Sequence, residues 1–143
     1  ETLYRRPASR QVADFIGTMN FLPAKVTAED SAHLEVEAAG FGAMTLRADQ
    51  VMAGSGGAAG SVVGFRPETL TILYEGQSAL DREAMGTIEE VVYFGDMTYY
   101  DVRLDSTDHP VRLSMRNVFG RPVLDLGTRA RVGWSPGALV MFR

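Results

Sequence analysis

The stretch Ile88-Glu89-Glu90-Val91-Val92-Tyr93-Phe94-Gly95-Asp96-Met97-Thr98-Tyr99-Tyr100-Asp101-Val102-Arg103-Leu104 carries the clearest structural signal in the chain. Ile88 to Phe94 is β-branched and aromatic, a composition that suits pleated backbone. Gly95-Asp96 is a type II′ hairpin signal, because that turn requires a positive φ at its first central position and glycine adopts it freely. Beyond the turn, Tyr100, Val102 and Leu104 alternate with Asp101 and Arg103, giving one apolar face and one wet face. Two antiparallel strands joined by a tight turn follow.

The same idiom extends in both directions. Asp105 to Pro110 turns the chain, then Val111, Leu113 and Met115 face inward while Arg112, Ser114 and Arg116 face out. Asp101 and Arg103 are thereby placed to sit across from the two arginines. After a turn near Gly127, Ala130, Val132 and Trp134 alternate with Arg129 and Arg131, and Ser135-Pro136-Gly137 leads into a last strand, Ala138 to Phe142. Upstream, Leu70 to Tyr74 and Val62 to Phe65 read as strands, the latter stopped by Pro67. Residues 51–61 are a loop of small residues. Before it, Leu34, Val36 and Ala38 alternate with Glu35 and Glu37, and Met44, Leu46 and Ala48 with Thr45 and Arg47, a hairpin with acids on one strand and Arg47 opposite them. Helix signals occur once: Pro7 suits a first helical position, Val12, Phe15 and Ile16 recur at i, i+3 and i+4, and Gly17 can end the helix. The expected fold is all-β, about ten short strands forming a small barrel or pair of barrels, with one short N-terminal helix over Pro7 to Ile16.

Composition narrows the chemistry. The chain has 143 residues, no Cys and two His, so thiol nucleophiles, disulfides and Cys-type zinc sites are excluded. The longest apolar run, Ala38 to Met44, is seven residues even with both glycines counted, against the ~20 of a membrane-spanning helix. The chain opens on Glu1 rather than Met and has no charged-then-apolar leader, which leads us to expect a piece of something longer. Net charge is −4 but uneven: residues 26–108 hold four arginines against fifteen acids, residues 109–143 six arginines against Asp125 alone. The late arginines alternate with apolar residues as the wet face of strands does, and lack interleaved aromatics, which opposes a nucleic-acid surface.

No motif supports catalysis. Gly54-Ser55-Gly56-Gly57-Ala58-Ala59 matches G-x-G-x-x-A formally, but the strand Val62-Val63 follows where a phosphate-binding helix is required. There is no G-x-x-x-x-G-K-[ST] and no G-x-S-x-G. His33 and His109 have no second ligand at i+2 or i+4 and read as surface residues; Glu35, Glu37, Glu89 and Glu90 have no evident partner to separate their pKa values. Arg66-Pro67-Glu68 is a turn at a strand end whose exposed Arg66 and Glu68 suit a contact surface. No catalytic, cofactor-binding or metal residue is assigned.

The first twenty-two residues resemble a junction in ATP-binding subunits of ABC importers: Glu1-Thr2-Leu3-Tyr4-Arg5-Arg6-Pro7, then Val12-Ala13-Asp14-Phe15-Ile16-Gly17-Thr18-Met19-Asn20. Phe65-Arg66-Pro67-Glu68 is similar to the RPE turn of that family's C-terminal domain. Gly86-Thr87-Ile88, Tyr93-Phe94-Gly95-Asp96, Tyr100 to Leu104 and Val132-Gly133-Trp134-Ser135-Pro136 resemble its closing strands.

The resemblance implies OB-like barrels of the TOBE type, with residues 1–20 as exit helix and linker from a missing ATPase domain and residues 21–143 as the C-terminal regulatory domain. The hairpin looks most like the spermidine/putrescine (polyamine) branch. It further implies a parent subunit that binds ATP and Mg, while this piece holds no cofactor, and a peripheral location on the cytoplasmic side of a bacterial inner membrane. Expected partners are the chain's own ATPase domain, a second copy of the subunit, and membrane permease subunits reached through the ATPase domain, with no nucleic acid. Arg66, Glu68, Tyr93, Asp96 and Tyr100 are the expected interface or regulatory contacts. The alternative is a barrel that senses a small ligand, an oxyanion or a polyamine, and so regulates transport.

Overall fold

The computed structural model describes residues 19–52, 61–78 and 81–143. The helix expected over Pro7 to Ile16 and the glycine motif Gly54 to Ala59 lie outside the described residues. Among these there are eleven strands rather than about ten: β1 (Asn20–Glu29), β2 (His33–Ala38), β3 (Gly42–Arg47), β4 (Val51–Met52), β5 (Val62–Phe65), β6 (Thr71–Leu73), β7 (Arg82–Phe94), β8 (Met97–Leu104), β9 (Pro110–Arg116), β10 (Arg129–Trp134) and β11 (Val140–Phe142). They form two sheets, ordered β3-β2-β1-β5-β11-β4 and β6-β10-β7-β8-β9. The β4–β11 pair is parallel and every other pairing is antiparallel.

Alternation decides which side chains enter the core. In β2 and β9 every second residue is buried, and Leu34, Val36, Ala38, Val111, Leu113 and Met115 are the inward set. The two sheets share one core, joined where Phe41 stacks on Trp134, centroids 3.9 Å apart at 17°, and meets Phe65 at 5.3 Å. Buried Gln50 ties the ends of the first sheet together: its amide donates to the carbonyls of Pro136 and Leu139 and its oxygen accepts from the Arg47 N–H. A buried amide with its bonds made adds specificity without an unpaired-group penalty.

Several expectations are corrected. Val51-Met52 is a strand, not loop, because β11 offers it a parallel partner. The last strand starts at Val140 rather than Ala138: Pro136–Ala138 forms a 3₁₀ turn, with proline at a first position where its missing donor costs nothing. Leu70 to Tyr74 shortens to β6, since the Tyr74 N–H is taken by the Gln77 side chain. Arg47 does not meet the acids of β2. Register sets it opposite His33, and its guanidinium goes to Asp49, while Glu37 pairs with Lys25 on β1. Arg103 likewise faces Pro110 across β9 and turns to Glu89 on β7 instead.

Candidate functional site

Gly95 has φ +64° and Asp96 a negative φ, the pattern of the type II′ turn that the dipeptide predicts. The turn projects the end of the β7–β8 hairpin beyond the core. Tyr93 pairs with Thr98 and Phe94 with Met97 in adjacent positions, so the two rings leave opposite faces of the hairpin. Both are exposed, Tyr93 to 65%.

Residues 117–128, between β9 and β10, run from this tip back toward Ile88 as a strap. The Asn117 N–H donates to the Asp96 carbonyl, and the Asn117 side-chain oxygen accepts from the Thr98 hydroxyl at 2.5 Å. The Tyr74 hydroxyl donates to the Pro122 carbonyl, the Leu124 N–H to the Tyr100 hydroxyl, and the Gly127 N–H to the Ile88 carbonyl. The Arg121 guanidinium bonds the Arg116 carbonyl and lies 5.7 Å from the Tyr74 ring centre. So braced, the strap nevertheless holds Val118, Phe119, Val123 and Leu126 in solvent, with Phe119 fully exposed.

The charges nearby are paired. Arg116 bonds Asp96 across the hairpin tip at 2.9 Å, both well exposed. Further along the sheet Arg112 bonds Asp101 at 2.8 Å, the most buried of the ion pairs among the described residues. Burial pushes the Asp101 carboxyl up from its ordinary value; Arg112 opposes this, and Glu90 and Glu89 add to it. Burial also raises the Tyr100 phenol.

The expected contact residues separate into three places. Tyr93 and Asp96 sit at the hairpin tip. Arg66 and Glu68 are exposed at the 3₁₀ turn Pro67–Thr69, whose Pro67 is buried and which packs against β9. Tyr100 is 1% exposed and belongs to the core, because Thr98, Tyr100, Val102 and Leu104 are the inward residues of β8. The strap residues were missed by periodicity, since they occupy neither a strand nor a helix. Their signal is Val118, Phe119, Val123 and Leu126 scattered among Gly120, Pro122 and Gly127, apolar residues where breakers predict a polar loop.

A groove of about 300 Å³ lies beside β6 and β10 and is lined by Thr69, Thr71, Leu73, Gln77, Ser78 and Ser135 with Gly133 and Trp134. Its lining side chains are uncharged, the hydroxyls of Thr71 and Ser135 and the Gln77 oxygen already have partners within the protein, and no nucleophile–base pair is present. Both histidines are exposed, and among the described residues no group of three or more His, Cys, Asp or Glu is placed to hold a metal.

Comparison with known proteins gives this geometry a family. The chain is 30% identical over 137 residues to a spermidine/putrescine import ATP-binding protein, PotA 2, of Pseudomonas aeruginosa, covering 94% of this chain and 37% of that protein. It is 35% identical over 105 residues to the Fe(3+) ions import ATP-binding protein FbpC 1 of Pectobacterium atrosepticum, covering 73% and 25%. The chain thus spans well under half the length of these curated relatives. In fold it is similar to the cytoplasmic molybdate-binding protein ModG in a molybdate-bound crystal structure, with a TM-score of 0.60 at 15% identity over 85% of this chain and 94% of that one. The TOBE domain profile matches residues 63–142, from β5 through β11 and including both the hairpin and the strap. With more than half of its length inside that match, the chain belongs to the TOBE domain family, in an all-β, OB-like form.

Proposed function

We propose that this chain is the regulatory and dimerisation domain of the ATP-binding subunit of a polyamine-type ABC importer, supporting ATP-driven uptake across the membrane. The observation that carries the reading is similarity along 94% of the chain to a spermidine/putrescine import ATP-binding protein. The 143 residues contain no P-loop, so ATP and Mg would be held by the parent's ATPase domain. That domain, a second copy of the subunit and the permease subunits are the proposed partners, on the cytoplasmic side of the membrane. Among the described residues no helix is long and apolar enough to cross a bilayer. The role of this domain is to hold two subunits together while the nucleotide domains open and close. The test is uptake of labelled putrescine and spermidine into right-side-out vesicles loaded with ATP and bearing the full-length gene product with its permease subunits, with and without residues 21–143. Uptake that is lost or escapes regulation on deletion supports the reading; absence of polyamine uptake by the intact protein refutes the substrate assignment.

A second reading, a small-ligand sensor, is favoured by the uncharged hydroxyl-lined groove beside Gly133. Calorimetric titration with putrescine, spermidine and molybdate separates the two readings. Heat from one of them supports sensing, and no heat from any leaves the dimerisation role alone.

A further inference from the structure

The dimerisation reading names a second copy but not the surface that meets it. We propose that the copies meet through the β7–β8 hairpin tip and the strap over residues 117–128, in a twofold contact that sets Asp96 of each against the partner's Arg116. The inference rests on the dimerisation reading.

Three observations carry it. The first is area. Tyr93 and Phe94 at the tip and Val118, Phe119, Val123 and Leu126 along the strap expose apolar side chains, together on the order of 600 Å² at the usual size of such residues. That is at the upper end of what a monomer leaves uncovered and near the ~800 Å² that each partner contributes to a standard interface. The second is rigidity. The strap is bonded to Asp96, Thr98, Tyr74, Tyr100 and Ile88, so Phe119 is presented by fixed backbone and little ordering entropy remains to be lost on docking.

The third observation is charge. The tip and the strap carry two acids, Asp96 and Asp125, and two bases, Arg116 and Arg121, with Asp96 and Arg116 2.9 Å apart and both well exposed. An anionic or cationic partner would gain nothing from a surface of balanced sign, whereas a twofold contact lets each member of the pair meet its opposite in the copy, as an isologous interface requires. Among the described residues Phe21, Met52 and Met85 also expose apolar side chains away from the tip. Of these, Phe21 already packs edge-to-face on Phe142, centroids 5.8 Å apart.

The experiment uses the full-length gene product without nucleotide, in sedimentation velocity over a dilution series. Phe119→Ser and Asp96→Arg are each expected to raise the dimer dissociation constant at least tenfold. Asp96→Arg combined with Arg116→Asp restores it to within about threefold of wild type, whereas Met52→Ser leaves it unchanged. Because Phe119 is fully exposed and Asp96 sits in a surface turn, thermal unfolding should show both variants folded. A cysteine at Val118 (Val118→Cys) should give a covalent dimer with a short bismaleimide linker, and Met52→Cys should not. Dimers that form in both single variants as in wild type overturn this surface and leave the dimerisation reading standing. A wild-type protein that stays monomeric at every concentration, with no Val118→Cys crosslink, overturns both.

Discussion

The Asn20 side chain bonds both backbone groups of one residue on another sheet. Its amide donates to the Arg112 carbonyl at 2.7 Å and its oxygen accepts from the Arg112 N–H at 2.6 Å. Arg112 lies on β9, the outer strand of the five-stranded sheet. Asn20 begins β1 of the other sheet, so one buried amide both closes an edge and joins the sheets. Replacing it removes both bonds at once. Asn20→Ala is expected to cost about 1–3 kcal/mol by urea denaturation, and a change below ~0.5 kcal/mol would show that water substitutes freely.

Gly86 and Gly95 lie on the same strand–turn unit and should respond differently. A Cβ on Gly86 would stand 2.5 Å from Val102 Cγ1 and 2.7 Å from the Arg103 carbonyl oxygen, and the latter is backbone that cannot step aside. Gly86→Ala should therefore destabilise by about 2 kcal/mol or more through overpacking. At Gly95 nothing lies within 4 Å and only the positive φ is at issue, so Gly95→Ala should cost about 1 kcal/mol. Thermal melts of the two variants rank them, and a Gly95→Ala protein less stable than Gly86→Ala contradicts the assignment.

Trp134, the sole tryptophan, is 5% exposed and its indole N–H has no partner among the described residues. Its emission should be blue-shifted in the folded protein and move red on unfolding, giving a direct readout of the shared core. Trp134→Phe removes an unsatisfied donor along with some volume and should change stability by less than about 1.5 kcal/mol; Trp134→Ala, which empties the stack on Phe41, should cost about 3–5.

Acid should weaken the fold through the arginine-bound carboxylates. Asp105 and Glu29 titrate below their ordinary values, chiefly because Arg129 and Arg143 hydrogen-bond their ionised forms. A carboxyl lowered on folding stabilises the protein above its unfolded value, ~3.9 for Asp and ~4.3 for Glu, and that contribution is lost as pH falls through the folded value. Asp101 has the opposite sign. Raised chiefly by burial, it favours the fold at low pH and withdraws that support as pH rises through its folded value. Carboxyl carbon NMR should place the Asp101 midpoint above that of a free aspartate and the Asp105 midpoint below it. In the variant Asp105→Asn, acid unfolding should be less steep than in wild type, and an unchanged profile would remove Asp105 from this account.

Much of this molecule was legible from side-chain alternation. Val62 to Phe65 coincides with β5, the inward set of β9 is the one its spacing predicts, and Gly95-Asp96 makes the turn its chemistry requires. These are local properties: one face of a strand must be apolar, and a positive φ selects glycine whatever surrounds it. Tyr93 and Asp96 could be placed at the tip for the same reason.

Partnership was not legible, because it depends on register across distant parts of the chain. Alternation set Tyr100 facing in, yet it took the packed core to remove it from the contact surface and give its hydroxyl to Leu124. Arg47 and Arg103 were assigned to neighbours that the register denies them. The strand Val51-Met52 exists only because β11 arrives beside it, some ninety residues later in the chain. The sequence by itself determined an all-β chain, its turns and the faces of its strands, because those follow from nearest-neighbour geometry. Which ions pair, which edge Asn20 seals, and that Phe119 stands in solvent on a braced strap were decided by the tertiary structure, which alone brings residues 20, 96 and 119 into relation with β9.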